Sequence, residues 1–277
     1  MNEKNESKKN GSNKQFVDPS TSSRRGAAGY FETILRRFKT ILHLVMLTLL
    51  YVLLCSVTGL AIVPGILLGR WILKHSESWS MFMSAWALGF AIVAAAILTA
   101  VALVIVLPTA NAVLLWGGRL KEWRGPYYSI EVIRWYIHNG ITYILRYTFL
   151  ELFTPSPLSS LFYRLMGMKI GKGSIVNTTA ISDPSLISIG RNVTIGGSVT
   201  IVGHYGQSGY LVLSPVLIGD GATIGLRASI MGGVKIGSNA RIMPHSVVLP
   251  KTQIGEGETW GGVPAVRIQQ DEAPTVG

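Results

Sequence analysis

Two histidines in the C-terminal part of the chain, His204 and His245, have the side chain best suited to proton transfer at neutral pH. An imidazole has an ordinary pKa near about 6.5, so it changes charge where most other side chains do not. His204 lies in a glycine-containing segment, 203–210 (GHYGQSGY), and is a candidate general base. The alternative is a loop histidine that is held by hydrogen bonds and has no chemical role. Tyr205 and Ser208 are candidates for orienting its ring or binding an acceptor.

The elements that would position these histidines repeat with a period of six. The recurring aliphatic residues are Ile218, Ile224, Ile230, Ile236, Ile242, Val248 and Ile254. A period of six fits neither an α-helix nor simple strand alternation, and it predicts a parallel β-solenoid with the aliphatic side chains inside. Three hexapeptides make one triangular coil, so equivalent positions in successive coils stack. Arg227 therefore stacks on His245, with both side chains facing outward.

The repeat is interrupted at two places. Ile189, Ile195 and Ile201 share one phase, whereas Ile170 and Val176 are out of that phase by a single position. The spacing from Ile201 to Ile218 is not a multiple of six, so the segment 202–217 must leave the solenoid. Chemistry is often placed where a loop leaves a rigid scaffold, and His204 lies in this excursion.

The composition indicates a membrane protein. Only 14% of the 277 residues are charged and 48% are hydrophobic, whereas about 25% charged residues is usual for a soluble domain. Residues 1–160 carry 16 Lys and Arg against 8 Asp and Glu. This basic excess suits anionic lipid headgroups, and no aromatic-interleaved basic patch indicates nucleic acid. Cys55 is the single cysteine and is predicted to be a core residue.

The N-terminal part divides into three predicted segments. Residues 1–29 form a polar, disordered tail. Residues 30–125 contain two uncharged runs, 40–69 and about 81–107, that predict a two-span transmembrane hairpin closed by Pro108. Basic residues flank both outer ends, which places both termini in the cytoplasm. Residues 126–168 are an aromatic, basic linker at the membrane interface, broken into two helices at Asn139-Gly140.

Residues 215–265 (PVLIGDGATIGLRASIMGGVKIGSNARIMPHSVVLPKTQIGEGETWGGVPA) resemble the hexapeptide-repeat acyltransferases. The segment 165–173 (LMGMKIGKG) resembles the first coil of that family, and 260–265 (WGGVPA) resembles its closing motif. Residues 123–164 are similar to the membrane-attached terminal region of poly-ε-lysine-synthetase-like enzymes. The resemblance implies a left-handed parallel β-helix over residues 169–267, followed by a short tail at 268–277.

The resemblance also implies a chemistry. Similar enzymes transfer an acyl group, here expected to be acetyl, from acyl-CoA to a hydroxyl or amine in a cleft between subunits of a homotrimer. His204 takes the place of the general base. The expected CoA-binding residues are Arg227, His245, Ser246 and Lys251. No metal is expected. The acceptor is a glycan, a lipid-linked molecule or an amine, and the other expected partners are membrane lipids.

Three other functions compete with this one. An amide-bond-forming transferase would use a carrier-bound donor with the same general base. A carbonic-anhydrase-like zinc enzyme on the same fold needs three histidines, and the repeats contain two. A non-catalytic scaffold would only trimerise the membrane anchors. The predicted location is the inner or plasma membrane, with the β-helix in the cytoplasm.

Overall fold

The computed structural model describes residues 22, 24–115 and 119–268. The two predicted tails, 1–29 and 268–277, lie largely outside these residues. The helices are α1 (Ala27–Arg37), α2 (Lys39–His75), α3 (Met81–Leu114), α4 (Ile130–Arg146) and α5 (Pro157–Leu165). The strands are β1 (Trp123–Pro126), β2 (Lys169–Ile170), β3 (Ile175–Val176), β4 (Ile181–Ser182), β5 (Ile187–Ile189), β6 (Thr194–Ile195), β7 (Thr200–Val202), β8 (His204–Gln207), β9 (Tyr210–Leu213), β10 (Val216–Ile218), β11 (Thr223–Ile224), β12 (Ser229–Ile230), β13 (Lys235–Ile236), β14 (Arg241–Ile242), β15 (Val247–Val248), β16 (Gln253–Ile254), β17 (Thr259–Gly261) and β18 (Val266–Ile268).

Helices α2 and α3 are long and apolar enough to cross a membrane, judged by length and composition. Gly65 brings them close together, because a Cβ there would lie 2.5 Å from the Cβ of Ala95. Cys55 of α2 is exposed, so the prediction that it is a core residue is wrong. Its apolar neighbours in sequence reflect the apolar character of the whole helix and not a protein interior.

The prediction that Pro108 closes the second apolar run is also wrong. Helix α3 continues to Leu114 with Pro108 inside it. Proline removes one helical hydrogen bond, and burial of Leu107 and Asn111 on either side holds the helix together. Packing of this part of α3 against its neighbours therefore outweighs the local effect of the proline.

Helix α4 is continuous through Asn139-Gly140, so the predicted break there is wrong as well. Local propensity disfavours both residues in a helix, but tertiary contacts use them. The Asn139 side chain hydrogen-bonds the buried Asp183 of the solenoid. Gly140 lies against α2, where a Cβ would come within 2.8 Å of Leu50 Cδ1. The two apparent helix breakers are therefore the residues that let α4 pack on both neighbours.

The predicted parallel solenoid is confirmed by the strand order. We call its three sheets the first face (β2, β5, β10, β13, β16), the second face (β3, β6, β11, β14, β17) and the third face (β4, β7, β12, β15). Strands from successive coils pair in parallel, as Ile224 does with Ile242. The aliphatic residues of the repeat are almost completely buried. The left-handed sense of winding stays the prediction that the resemblance makes.

The predicted excursion is a β-hairpin formed by β8 and β9. It lies at the corner between the third and first faces, and the chain then returns to the solenoid so that Ile218 pairs with Ile189 of the preceding coil. Strand β1, which the sequence analysis missed, pairs antiparallel with β9. The segment before α4 is thereby attached to the hairpin that begins with His204.

Candidate functional site

His204 begins the hairpin, and its ring is fixed by one short hydrogen bond. Its Nδ1 lies 2.5 Å from Oδ2 of Asp183. The imidazole is 24% exposed, whereas the carboxylate is completely buried. Within the part of the chain that the structure describes, Nε2 has no hydrogen-bond partner. Because Nδ1 bonds the carboxylate, Nε2 is the nitrogen available to another molecule. Neither Tyr205 nor Ser208 hydrogen-bonds the ring, which is oriented by Asp183 instead.

Asp183 lies at the same corner of the preceding coil, between β4 and β5. Its backbone is left-handed, with φ of 59°, and begins the short 3-10 helix Pro184–Leu186. Four N–H groups reach its carboxylate. The donors are Trp135 Nε1 (2.7 Å), Asn139 Nδ2 (2.5 Å), Gly203 N (3.0 Å) and, in the His204 tautomer that carries the proton there, His204 Nδ1 (2.5 Å). A buried carboxylate requires such hydrogen bonds to remain ionised.

The net effect on Asp183 is a stabilised negative charge. Burial raises the pKa of this carboxyl, but the hydrogen bond from His204, its positive charge and the hydrogen bond from Asn139 together lower the pKa below its ordinary value. An ionised Asp183 orients the His204 ring through Nδ1 and stabilises the imidazolium once Nε2 accepts a proton. The pair is therefore arranged as a carboxylate-oriented general base.

One face of α4 holds this pair in place. Trp135 and Asn139 are one helical turn apart, so both side chains reach Asp183. Asn139 Oδ1 also accepts from the backbone N–H of Asp183 at 3.1 Å. The Trp135 ring meets the His204 ring edge to face, with 5.1 Å between their centres. The linker helix predicted only as an interfacial element thus supplies part of the site.

A second buried contact joins the same face of α4 to α3. His138 Nδ1 lies 3.0 Å from Asn111 Oδ1, and its Nε2 lies 3.4 Å from Ser185 Oγ. Burial lowers the pKa of His138 to about 4, although the nearby negative charge of Asp183 acts in the opposite direction. His138 is therefore neutral at physiological pH, and its contacts to α3 and to the solenoid are structural.

The residues predicted to bind CoA occupy two corners of the solenoid. Arg227 and His245 lie between the second and third faces, and both are exposed with left-handed backbones. They occupy equivalent places in consecutive coils, because the N–H of His245 donates to the carbonyl of Leu226 at 2.8 Å. Ser246 is completely buried, and its hydroxyl donates to the carbonyl of Met243 at 2.7 Å. The Ser246 side chain thus faces the interior and not the outer surface.

Lys251 lies at the His204 corner, one hexapeptide after His245. Its N–H donates to the carbonyl of Gly232 at 3.1 Å. Gly232 in turn lies directly against the hairpin, where a Cβ would come within 3.0 Å of the His204 backbone nitrogen. Lys251 is exposed. The structure therefore brings Lys251 to the same edge as His204, while Arg227 and His245 lie across the third face.

Asp183, Trp135 and Asn139 are site residues that were not predicted from the sequence. One signal for Asp183 was present, because the hexapeptide phase slips between Val176 and Ile189, and Asp183 lies at that slip. No periodicity marks Trp135 or Asn139. Among the described residues, no group of three or more His, Cys, Asp or Glu side chains is arranged to hold a metal ion. The expectation that no metal is needed stays a prediction.

Comparison with known proteins supports the assignment of the repeat. Residues 215–250 match the family model for the bacterial transferase hexapeptide (six repeats), so the resemblance expected from the sequence is confirmed. Delta-poly-L-ornithine synthetase of Acinetobacter baumannii (strain AB307-0294) is 26% identical over 145 residues. That match covers 52% of this chain but 11% of that protein, so the chain spans about a tenth of the relative's length.

Two solved structures are similar to about half of this chain. A maltose O-acetyltransferase from Clostridium difficile 630 is 21% identical, with a TM-score of 0.41, and the match covers 54% of this chain and 93% of that one. A hexapeptide-repeat containing acetyltransferase from Vibrio cholerae O1 biovar eltor, complexed with acetyl coenzyme A, is 19% identical, with a TM-score of 0.36. That match covers 52% of this chain and 90% of the other.

Proposed function

We propose that this chain is a membrane-bound acyltransferase that moves an acyl group, expected to be acetyl, from acyl-CoA to a hydroxyl or amine. The observation that carries the proposal is the His204–Asp183 pair, in which a fully buried carboxylate bonds Nδ1 of a partly exposed ring and leaves Nε2 without a hydrogen-bond partner among the described residues. The match of residues 215–250 to the bacterial transferase hexapeptide repeat supports the same class of reaction.

The proposed reaction is direct transfer. Nε2 of His204 removes the proton from the acceptor hydroxyl or amine as its oxygen or nitrogen attacks the thioester carbonyl carbon. The carbon–sulfur bond then breaks, and the imidazolium returns the proton to the departing CoA thiolate. Asp183 stabilises the imidazolium between these two proton transfers. A positioned general base contributes roughly 100-fold to 10,000-fold to such a rate.

The donor would lie along the third face of the solenoid, between the two corners that carry the predicted binding residues. Lys251, on the His204 corner, and Arg227, on the other, are exposed cations that suit the phosphates of CoA. His245 projects beside Arg227 and is proposed to contact the same molecule. We do not include the buried Ser246 hydroxyl among these groups, because it already donates to a backbone carbonyl.

We further propose that α2 and α3 anchor the solenoid as a transmembrane hairpin in the inner or plasma membrane. A helix of about 20 apolar residues spans the hydrocarbon core, and both helices exceed that length. The basic residues that flank the two outer ends of this hairpin favour the cytoplasmic side for the solenoid. The resemblance implies assembly as a homotrimer, in which a neighbouring copy completes the cleft beside His204. A glycan, a lipid-linked molecule or an amine would be the acceptor.

A second candidate function is amide-bond formation with a carrier-bound donor. It is favoured by the 145-residue similarity to delta-poly-L-ornithine synthetase, a relative of which this chain matches only 11%. His204 would act on an amine acceptor in the same way, but a thioester on a carrier would replace acyl-CoA. A scaffold that only joins membrane anchors would need neither donor nor base.

The test uses the full chain in membranes, with acyl transfer followed by mass spectrometry of the products. Acetyl-CoA is one donor and a carrier-bound aminoacyl thioester is the other. We expect His204→Ala to lower transfer from acetyl-CoA by at least about 100-fold, whereas His75→Ala, an exposed histidine at the end of α2, retains activity. Transfer from the carrier alone would support the second function. Undiminished transfer by His204→Ala would refute the proposed base, and no transfer from either donor would favour the scaffold.

A further inference from the structure

A cavity of about 290 Å³ lies between α2 and the segment 127–136. We call it the aromatic pocket. Its walls are His43 and Met46 of α2 on one side and the rings of Tyr127, Tyr128, Trp135 and Tyr136 on the other. The His43 and Tyr136 rings meet edge to face, with 6.0 Å between their centres. The lining is mainly apolar and aromatic, a character that favours hydrocarbon.

The surface beside the aromatic pocket is apolar as well. Ile41, Leu44 and Val45 of α2 are 60%, 57% and 48% exposed. Exposed aliphatic side chains on a helix long enough to span a membrane are expected to face lipid. Tyrosine and tryptophan rings favour the boundary between hydrocarbon and water. The pocket therefore lies where lipid chains would contact the protein.

Basic side chains lie at the end of the pocket formed by Tyr128. Lys39 Nζ lies 5.2 Å from the centre of the Tyr128 ring. Arg36 Nε donates to the Tyr128 carbonyl at 3.3 Å and also pairs with Glu32. Arg37 is exposed on the adjoining surface. This arrangement combines a cavity for hydrocarbon with exposed cations one helical turn away, and it is complementary to a lipid with an anionic headgroup.

The pocket shares two walls with the His204 hairpin. The Trp135 ring that lines it also packs against His204. The Tyr127 hydroxyl lies against the hairpin at Gly206, where a Cβ would come within 2.8 Å of it. A chain bound in the pocket would therefore contact the same rings that position the hairpin.

We propose that the aromatic pocket binds one acyl chain of an anionic membrane phospholipid, whose headgroup lies beside Lys39. The bound chain packs α2 against α4 and supports the Trp135 ring that contacts His204. Lipid binding itself is independent of the proposed transferase activity, because it depends only on the pocket and its cations.

Photocrosslinking in vesicles tests this site. The full chain is reconstituted in phosphatidylcholine vesicles that contain phosphatidylglycerol with a diazirine in one acyl chain, or phosphatidylcholine with the same label. Crosslinked peptides are then mapped by mass spectrometry. We expect adducts on residues 127–136 and on Met46, with several-fold more from phosphatidylglycerol. Lys39→Gln is expected to lower the phosphatidylglycerol adducts about fivefold, and Lys74→Gln, an exposed cation at the opposite end of α2, is the control for general charge.

Two pocket-filling substitutions separate the site from general lipid contact. Ile133 and Met46 both line the cavity, so Ile133→Trp and, independently, Met46→Trp should fill it and reduce the pocket adducts about tenfold. Leu44→Trp, on the exposed surface of the same helix, should leave them unchanged. Adducts spread evenly over α2 and α3, or pocket adducts that persist in both folded tryptophan variants, would overturn the proposal. Equal labelling by both phospholipids would overturn the anionic preference.

Discussion

Replacing Asn139 with alanine separates positioning from the proposed chemistry, because this side chain lies on α4 and hydrogen-bonds Asp183 but not the His204 ring. The amide makes two hydrogen bonds to Asp183, donating to Oδ1 at 2.5 Å and accepting from the Asp183 N–H at 3.1 Å. Asn139→Ala removes both. Trp135, Gly203 and His204 remain on the carboxylate, so Asp183 keeps three of its four donors.

The magnitude follows from these contacts. A hydrogen bond to a buried charge contributes about 1.5–3 kcal/mol, and a neutral one about 1 kcal/mol. We therefore expect Asn139→Ala to lower the free energy of unfolding by about 3 kcal/mol. Asp183 has a pKa below its ordinary value, so its ionisation stabilises the folded state above the unfolded pKa and the stability is lost as the pH falls through the folded pKa. Without Asn139 the folded pKa is higher and closer to the unfolded value, so the loss of stability in acid is smaller and is complete at a higher pH.

The assay combines thermal unfolding in detergent with a pH profile of acyl transfer. We expect kcat to fall about tenfold, equivalent to about 1.4 kcal/mol of lost orientation, with little change in KM for the donor. Thr142→Val is the matched control, because its buried hydroxyl donates only to the His138 carbonyl within α4. The reasoning is refuted if the Asn139→Ala protein is less stable but has the same kcat as the Thr142→Val protein and the same decline of acyl transfer at acid pH.

Three further predictions concern the surroundings of the site. The pKa of His138 is lowered to about 4, so the folded state loses about 3 kcal/mol of stability as the pH falls from 6.5 to 4. The His138→Gln protein should lack this pH-dependent loss in acid unfolding. An unchanged pH dependence of its stability would contradict the prediction. Gly203→Ala would place a Cβ within 3.0 Å of Asp183 Cβ, so acyl transfer should fall at least tenfold with KM for the donor nearly constant; retention of wild-type kcat would show that the hairpin adjusts. Lys251→Ala should raise KM for acyl-CoA several-fold and leave kcat nearly unchanged. Ser246→Ala should change the free energy of unfolding by about 1 kcal/mol and leave KM unchanged. Steady-state kinetics on both variants distinguish a residue that binds the donor from one that only stabilises the fold.

The sequence was most informative where the chain is most regular. The period of six placed the inward aliphatic residues and the stacking of equivalent positions in successive coils, because each coil repeats the same local geometry. The period also located the excursion, because a hairpin inserted between two coils shifts the phase of the repeat unless its length is a multiple of six. The helix ends were less predictable. Pro108 and Asn139-Gly140 have low helix propensity, but packing against other elements outweighs a local preference of about 1–3 kcal/mol.

The residues of the candidate site also differ in how far the sequence predicts them. His204 could be selected from the sequence because it lies in the one long interruption of the repeat. Asp183 belongs to the preceding coil, and only the stacking of successive corners brings the two side chains together. Trp135 and Asn139 come from a helix outside the solenoid, so no periodic pattern relates them to His204.

The sequence by itself determined the solenoid, its interruption and two helices of membrane-spanning length, because period, phase and apolar length are properties of a linear chain. Only the tertiary structure decided which carboxylate orients His204, and that α4 joins the helical part to the His204–Asp183 pair. The physical reason is that a buried charge needs donors from every side. For Asp183, those donors come from the hairpin on one side and, on the other, from α4, which precedes the solenoid in the chain.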